Sequence, residues 1–300
     1  MYYGYDFVEV KKKSNKGRNI VLILLVLVAI SGAIYTGIKT AEYVNNQKIE
    51  EARIKEQEQL EEQKRIEEEK KEQEKLKNSQ NLTEEQIQAI ENIYSSEEKR
   101  VFLTFDDGPT TSVTPYILDL LKQENIKATF FVLGNRAKVN PDLIKREFEE
   151  GHYIANHGYT HKYDSIYASP ESVLEEFNKC NDAVKSAINV PEYNSHLFRF
   201  PGGLVGGKYE TIKSQANELL KQNEIMSVDW NALTGDAETN DLSVDFEMQR
   251  LKETVNDKKS VVILMHDAPA KKITAESLTQ IISYLKEQGY ELKNFYDIIK

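Results

Sequence analysis

The sequence predicts an α/β fold, a parallel sheet with helices packed outside it, from Arg100 to Lys300. Three observations carry that expectation. Short runs apolar on both faces, such as "VFLTF", "KATFFVL" and "SVVILMH", alternate with amphipathic helical stretches such as "TPYILDLLKQEN" and "DFEMQRLKETVND". Strands buried on both faces and separated by helices belong to parallel sheets. Polar residues gather where these strand runs end, which is the edge where α/β folds build their sites. A barrel of fewer than eight strands and an open doubly wound sheet both satisfy the pattern. No Gly-rich phosphate loop follows the first strand, which argues against a dinucleotide fold.

Four zones precede this domain. Residues 1–19 are polar and end in "KKKSNKGR". Residues 20–38, "IVLILLVLVAISGAIYTGI", carry no charge, and a helix of that length roughly matches a ~30 Å hydrocarbon core. It has no polar face, so a core helix of a soluble domain is the poorer reading. A cleaved signal peptide, with "AISGA" as its site, is the alternative. Lys11, Lys12, Lys13, Lys16 and Arg18 flank its N-terminal side, so the positive-inside rule places that end in the cytoplasm and everything after Lys39 outside. Residues 41–77 are almost entirely Glu, Gln, Lys and Arg, and Ile49, Ile54, Leu60, Ile66 and Leu76 keep no heptad seam. They read as a solvated helical stalk supported by Glu–Lys pairs one turn apart, with self-association through the stalk as the alternative. Residues 78–99 read as a linker with one short amphipathic helix, and 100–300 as the folded α/β domain.

The chain carries 49 acidic and 39 basic residues, a formal charge of -10. Phosphate backbones demand clustered Lys and Arg, so nucleic acid is excluded as a partner. The single cysteine, Cys180, lies in the helical run 169–189 and reads as a buried structural thiol. Any metal site must therefore use His and carboxylates.

Within the domain, five strand ends deliver chemistry. "VFLTF" ends in Asp106 and Asp107, "HYIAN" leads to His157 and His161, and "HLFRF" carries Arg199 before "PGG". "EIMSVDW" leads to "NALTGDAE", and "VVILM" ends at His266-Asp267. Adjacent aspartates repel unless something neutralises one of them. Two imidazoles and one carboxylate form the ligand set of an open hydrolytic metal site. If Asp107 ligates with His157 and His161, Asp106 is left beside the cation as a general base. Arg199 is then an ion-pair partner for Asp106, and His266 a general acid oriented by a carboxylate such as Asp236.

The motifs "TFDDGP", "NHGYTH", "FRFPGG", "VDWNALTGDA" and "ILMH", in that order, resemble those of the polysaccharide deacetylase family, carbohydrate esterase family four. The resemblance covers residues 100–300. It implies a distorted (β/α) barrel, a divalent cation (usually zinc, with cobalt as the alternative), and hydrolysis of N-acetyl groups on amino sugars. It implies Asp106 as base, Asp107, His157 and His161 as ligands, Arg199 steadying the base and His266 as acid. Leu264 would wall the acetyl pocket, the Gly202 N–H would help hold the oxyanion, and Trp230 would line the substrate groove.

The chain departs from that pattern at three places. Gly158 stands where the family usually has Ser or Thr, which removes one hydrogen bond behind the ligands. Gly202 replaces a common Tyr and should leave the groove less walled. In the fourth motif Leu233 and Ala237 replace an aspartate and a groove aromatic, so Asp236 is expected to orient His266, with Asp229 as rival. The anchor and stalk point to a polymer just outside the membrane: peptidoglycan N-acetylglucosamine first, then N-acetylmuramic acid, chitin or poly-N-acetylglucosamine. The rival of another class is a membrane-anchored glycan-binding protein without catalysis.

Overall fold

The computed structural model describes residues 16–77 and 81–299 of the chain. Its contacts divide the chain into two units, Met1–Lys71 and Glu72–Lys300. The first unit consists of most of α1 (Lys16–Lys77), a single helix of 62 residues. No break separates the expected membrane segment from the expected stalk. The apolar side chains between Leu24 and Ile38 are all exposed, and by length and composition the helix can cross a membrane. Beyond them the charges pair at i,i+3, as in Lys39–Glu42 and Glu62–Arg65 at 2.9 Å. Such exposed pairs contribute little. The lysines at 11, 12 and 13, on which the topology expectation rests, lie outside the described residues, as do residues 78–80 of the expected linker.

In the second unit, eight parallel strands alternate with helices. β1 (Arg100–Asp106), β2 (Thr129–Val132), β3 (Tyr153–Asn156) and β4 (Leu197–Phe198) follow one another around the sheet to β5 (Met226–Ser227). On the other side of β1 lie β7 (Ser260–His266) and then β6 (Ala232–Leu233). Each crossover carries helix: α3 (Thr114–Gln123) after β1, then α4 (Gly134–Val139) and α5 (Pro141–Glu149) after β2. After β3 come α6 (Tyr163–Ile166) and α7 (Pro170–Ile188), and after β4 comes α8 (Glu210–Gln222). α9 (Val244–Val255) precedes β7, and α10 (Lys272–Glu287) leads to β8 (Glu291–Lys293). β8 lies on the first half of β1, along Arg100–Phe102. Only β5 and β6 are joined without a helix, and they do not pair. The sheet is thus a barrel left open at one seam, the distorted barrel that the sequence implied. Asn231, in the short link across the seam, bonds to β7 like an extra strand residue. Its Nδ2 donates to Ser260 O and its Oδ1 accepts from Val262 N, both at 2.8 Å.

The period of two along each strand decides which residues face inward. Val101, Leu103 and Phe105 of β1 join Val261, Ile263 and Met265 of β7 in a core with Ile117, Leu121 and Ile281 of the outer helices. Phe102 and Val262 face the other way, into the barrel, with Phe131, Tyr153, Leu197 and Phe295. Continuing that alternation upward brings Thr104, Asp106, Leu264 and His266 to the inner face. The same parity sends His157 above Ala155 and Arg199 above Leu197 inward. The barrel floor is closed by α2 (Glu84–Glu91), whose Thr83 and Gln86 form a capping box. Leu82, Ile90 and Ile93 belong to the inner cluster. The stretch expected as a linker over 78–99 is therefore folded into the domain from Leu82 onward. Each fully buried Ile or Leu is worth about 1.5–3 kcal/mol, so cutting the chain at Arg100 would remove part of the core.

Candidate active site

Asp106 and His266 are direct partners across β1 and β7, so the parallel register alone sets them side by side. Arg199 follows β4 and is completely buried. Its Nη1 donates to Asp106 Oδ1 and to Thr104 Oγ1, both at 2.7 Å, its Nε to Val228 O and its Nη2 to Asp229 O at 3.0 Å. The guanidinium also lies 3.9 Å from the Phe131 ring centre. A buried ion pair holds only when its remaining donors are satisfied, and these bonds meet that condition. They leave Asp106 with one oxygen committed to Arg199. The other, Oδ2, turns toward His157 Nε2 at 3.8 Å.

The next residue, Asp107, points to the same place. Its Oδ1 stands 3.8 Å from His157 Nε2 and 3.4 Å from His161 Nε2. The three candidate ligand atoms all lie within 4.8 Å of one another. Donors about 2.1 Å from a tetrahedral zinc would sit about 3.4 Å apart, so the set has the right size for a divalent cation. Asp107 Oδ1 is buried yet has no hydrogen-bond partner, a cost that a cation would remove. His157 Nδ1 lies 2.7 Å from Arg199 O, which fixes the proton on that nitrogen and leaves the Nε2 lone pair toward Asp107. Burial holds His157 below its ordinary pKa against the pull of Asp106 and Asp107, so the ring is neutral, as ligation requires. Burial works against the charge of Asp107, but His157, His161, His266 and Arg136 keep its carboxyl below the ordinary value. Both Asp107 (φ 74°) and His161 (φ 57°) adopt the left-handed region. Non-glycine residues pay about 1–3 kcal/mol there, and both of these point at the centre.

The loop between the histidines is held from behind. Glu176 of α7 is buried, and its Oε2 accepts the N–H groups of Tyr159 at 2.7 Å and Thr160 at 2.6 Å. Its Oε1 accepts the Thr160 hydroxyl at 2.9 Å. The bond expected to be missing at Gly158 is thus replaced by a carboxylate on a helix. Gly158 has φ 86°, and a Cβ there would come within 2.9 Å of Ile166 Cδ1. Sequence reasoning missed Glu176, although a signal was present. It follows Val173 by three and precedes Cys180 by four, so a charge stands on the buried face of α7. Cys180 itself is fully buried, as expected, with Sγ toward Val132 O.

His266 completes the rim. Its N–H donates to Asp236 Oδ2 and its Nδ1–H to Asp236 Oδ1, both at 2.8 Å. Burial alone would lower its pKa, but the hydrogen bond and charge of Asp236, with Asp106 and Asp107, raise it to about 9. Thr274 also donates to Asp236 Oδ2, at 3.1 Å. Asp229, the rival, does not reach His266. Its carboxylate accepts the Leu204 N–H at 3.0 Å and so closes the turn after "PGG". Asp267, next to His266, faces away and accepts the Thr114 hydroxyl at 2.5 Å. Leu264 lies one inward position below His266 and is buried. The Gly202 N–H makes no hydrogen bond to any described residue, and Trp230 would touch a Cβ on Gly203 at 3.3 Å.

An open parallel barrel thus joins, at one rim, two histidines and two aspartates to an Asp–His pair, a candidate metal site beside a candidate acid–base pair. Residues 94–221 match the family described as polysaccharide deacetylase. A peptidoglycan-N-acetylglucosamine deacetylase of Listeria monocytogenes is 36% identical over 193 residues, 64% of this chain and 37% of that protein. One of Bacillus cereus is 33% identical over 204 residues, covering 67% of this chain and 71% of its own length. The structure of a Streptococcus mutans CE4 esterase superposes with a TM-score of 0.62 at 31% identity, over 71% of this chain and 91% of that one. The chain belongs to the polysaccharide deacetylase family. It spans little more than a third of the Listeria relative.

Proposed function

We propose that this protein is a metal-dependent N-deacetylase acting on acetylated amino sugars of a cell-wall glycan, with peptidoglycan N-acetylglucosamine as its foremost substrate. The names of the similar proteins support the substrate class. One observation carries the chemistry: Asp106 has one oxygen bound to Arg199 and the other free beside the three ligand atoms, with Asp236-held His266 as its direct strand partner.

Asp107, His157 and His161 would hold the cation, zinc in this proposal with cobalt as the alternative. When bound, it supplies Lewis-acid polarisation of the acetamide carbonyl and acidifies the attacking water. Asp106 takes that water's proton at Oδ2 while Arg199 fixes its other oxygen. The Gly202 N–H donates to the developing oxyanion. His266 gives its Nε2 proton to the departing sugar nitrogen, and Asp236 keeps the Nδ1–H in place. Leu264 forms the apolar floor for the acetyl methyl. The test is acetate release from N-acetylglucosamine oligomers and from purified peptidoglycan by the metal-loaded protein, with loss on chelation. Binding without acetate release would leave only the non-catalytic reading.

The rate should follow a bell in pH, because Asp106 must be ionised and His266 protonated in the same molecule. Asp236 favours the imidazolium, so Asp236→Asn should move the basic limb to lower pH and leave the acidic limb in place. Asp229→Asn should leave the basic limb in place, since its carboxylate accepts the Leu204 N–H and not a bond from His266. A basic limb that responds to Asp229→Asn alone would hand the orienting role to that residue. Coupled groups give macroscopic values, so the direction is the test.

The exposed apolar stretch of α1 fits an anchor that leaves the catalytic domain outside the cell. Protease added to intact cells should then cut within 41–77 and release an active fragment. Cutting only after lysis would invert that topology.

A further inference from the structure

The turn Gly202–Gly203 presents a bare backbone to the site, because neither residue carries a side chain and Gly202 has φ 76°. The space above it is filled from elsewhere. Tyr163, two positions after the ligand candidate His161, sets its hydroxyl 2.7 Å from where a Cβ on Gly202 would stand. Its ring centre lies 5.6 Å from that of His161. Two further tyrosines hold the ring from behind: Tyr167 at 5.7 Å and 66°, and Tyr209 at 6.3 Å and 82°. Tyr167 is pinned by donating to Pro201 O at 2.7 Å, and Tyr209 by its hydroxyl on Asp164. Tyr163 nevertheless stays 41% exposed, and its hydroxyl bonds to no described residue. A braced aromatic ring with an unused phenol, beside the ligand cluster and a naked N–H, is a ready contact for an amphipathic ligand.

We propose that Tyr163 is a substrate-contacting residue that forms one wall of the sugar site, with Trp230 beyond Gly203 as the facing aromatic. This rests on the deacetylase reading. The ring offers an apolar face to the C–H side of a pyranose, and the hydroxyl a hydrogen bond to a sugar hydroxyl. It takes no part in proton transfer. Its contribution is therefore to sugar affinity and not to the chemistry at the cation, and a small substrate that lacks the sugar does not feel it.

The test uses the full metal-loaded chain with Tyr163→Phe and Tyr163→Ala. Each is assayed on a short N-acetylglucosamine oligomer and on 4-nitrophenyl acetate, and its zinc content is measured. Tyr163→Phe should raise KM for the oligomer about fivefold, the loss of one ordinary hydrogen bond. Tyr163→Ala should raise it further, by about tenfold or more. Zinc content and turnover of the small ester should match the parent in both. If oligomer KM is unchanged in Tyr163→Phe and Tyr163→Ala, or if ester turnover and zinc fall together with it, the inference is overturned and Tyr163 is only a brace for His161. If the parent protein releases no acetate from the oligomer while still hydrolysing the ester, the deacetylase reading fails, and this inference with it.

Discussion

Asp106→Asn is expected to keep its metal and lose about 10²- to 10⁴-fold in turnover, the usual cost of removing a general base. The substitution is isosteric, and the amide can still accept from Arg199 through its oxygen. That orientation turns the NH₂ toward the ligand cluster, where a carboxylate oxygen stood, and an amide cannot take a proton from water. Alanine would be the wrong choice. Arg199 is completely buried and bonded to Asp106 at 2.7 Å, and stranding it would cost about 3–5 kcal/mol. Acetate release, zinc content and thermal melting, measured together, separate the two effects. Near-parental turnover in a folded, zinc-loaded Asp106→Asn protein would remove Asp106 from the role of base.

The second large effect is on metal retention, and it should be graded. Asp107→Asn and His157→Ala should purify without zinc and without activity, because each removes one of three donors. Asn tolerates the left-handed backbone at position 107 as well as Asp does, so loss there cannot be ascribed to backbone strain. Glu176→Ala should retain all three donors but weaken zinc by about 10- to 100-fold, the usual effect of losing a group that orients ligands. Competition with a chelating dye reads this without any turnover assay. Full zinc content in both Asp107→Asn and His157→Ala would place the cation elsewhere.

The candidate site groups were legible because they obey strand parity. Asp106, His157, Arg199 and His266 each end or follow an apolar run, and one period of two aims them all inward. Asp236 was harder, since "TGDA" is ordinary turn composition, and only the fold brings it to His266. β6 and β8 went unseen because two or three residues carry no periodicity. The linker expected over 78–99 proved to be barrel floor from Leu82 onward. Its apolar Leu82, Ile90 and Ile93 are few and widely spaced, and they meet their partners only in three dimensions. Tyr163 escaped for a related reason: its partner is a bare glycine, which leaves no pattern in a sequence, whereas Glu176 showed only as one charge on the buried face of α7.

The seven-residue pairing of β1 with β7 joins positions 160 apart in the chain. Such a contact pays its loop-closure entropy before it returns any stability, so it forms late and slowly. A chain still emerging from synthesis, or clipped before Ser260, would carry Asp106, Asp107, His157 and His161 but lack His266. The rim is thus incomplete until β7 has been delivered and paired with β1. Assembly of the candidate site is therefore tied by topology to complete synthesis of the domain.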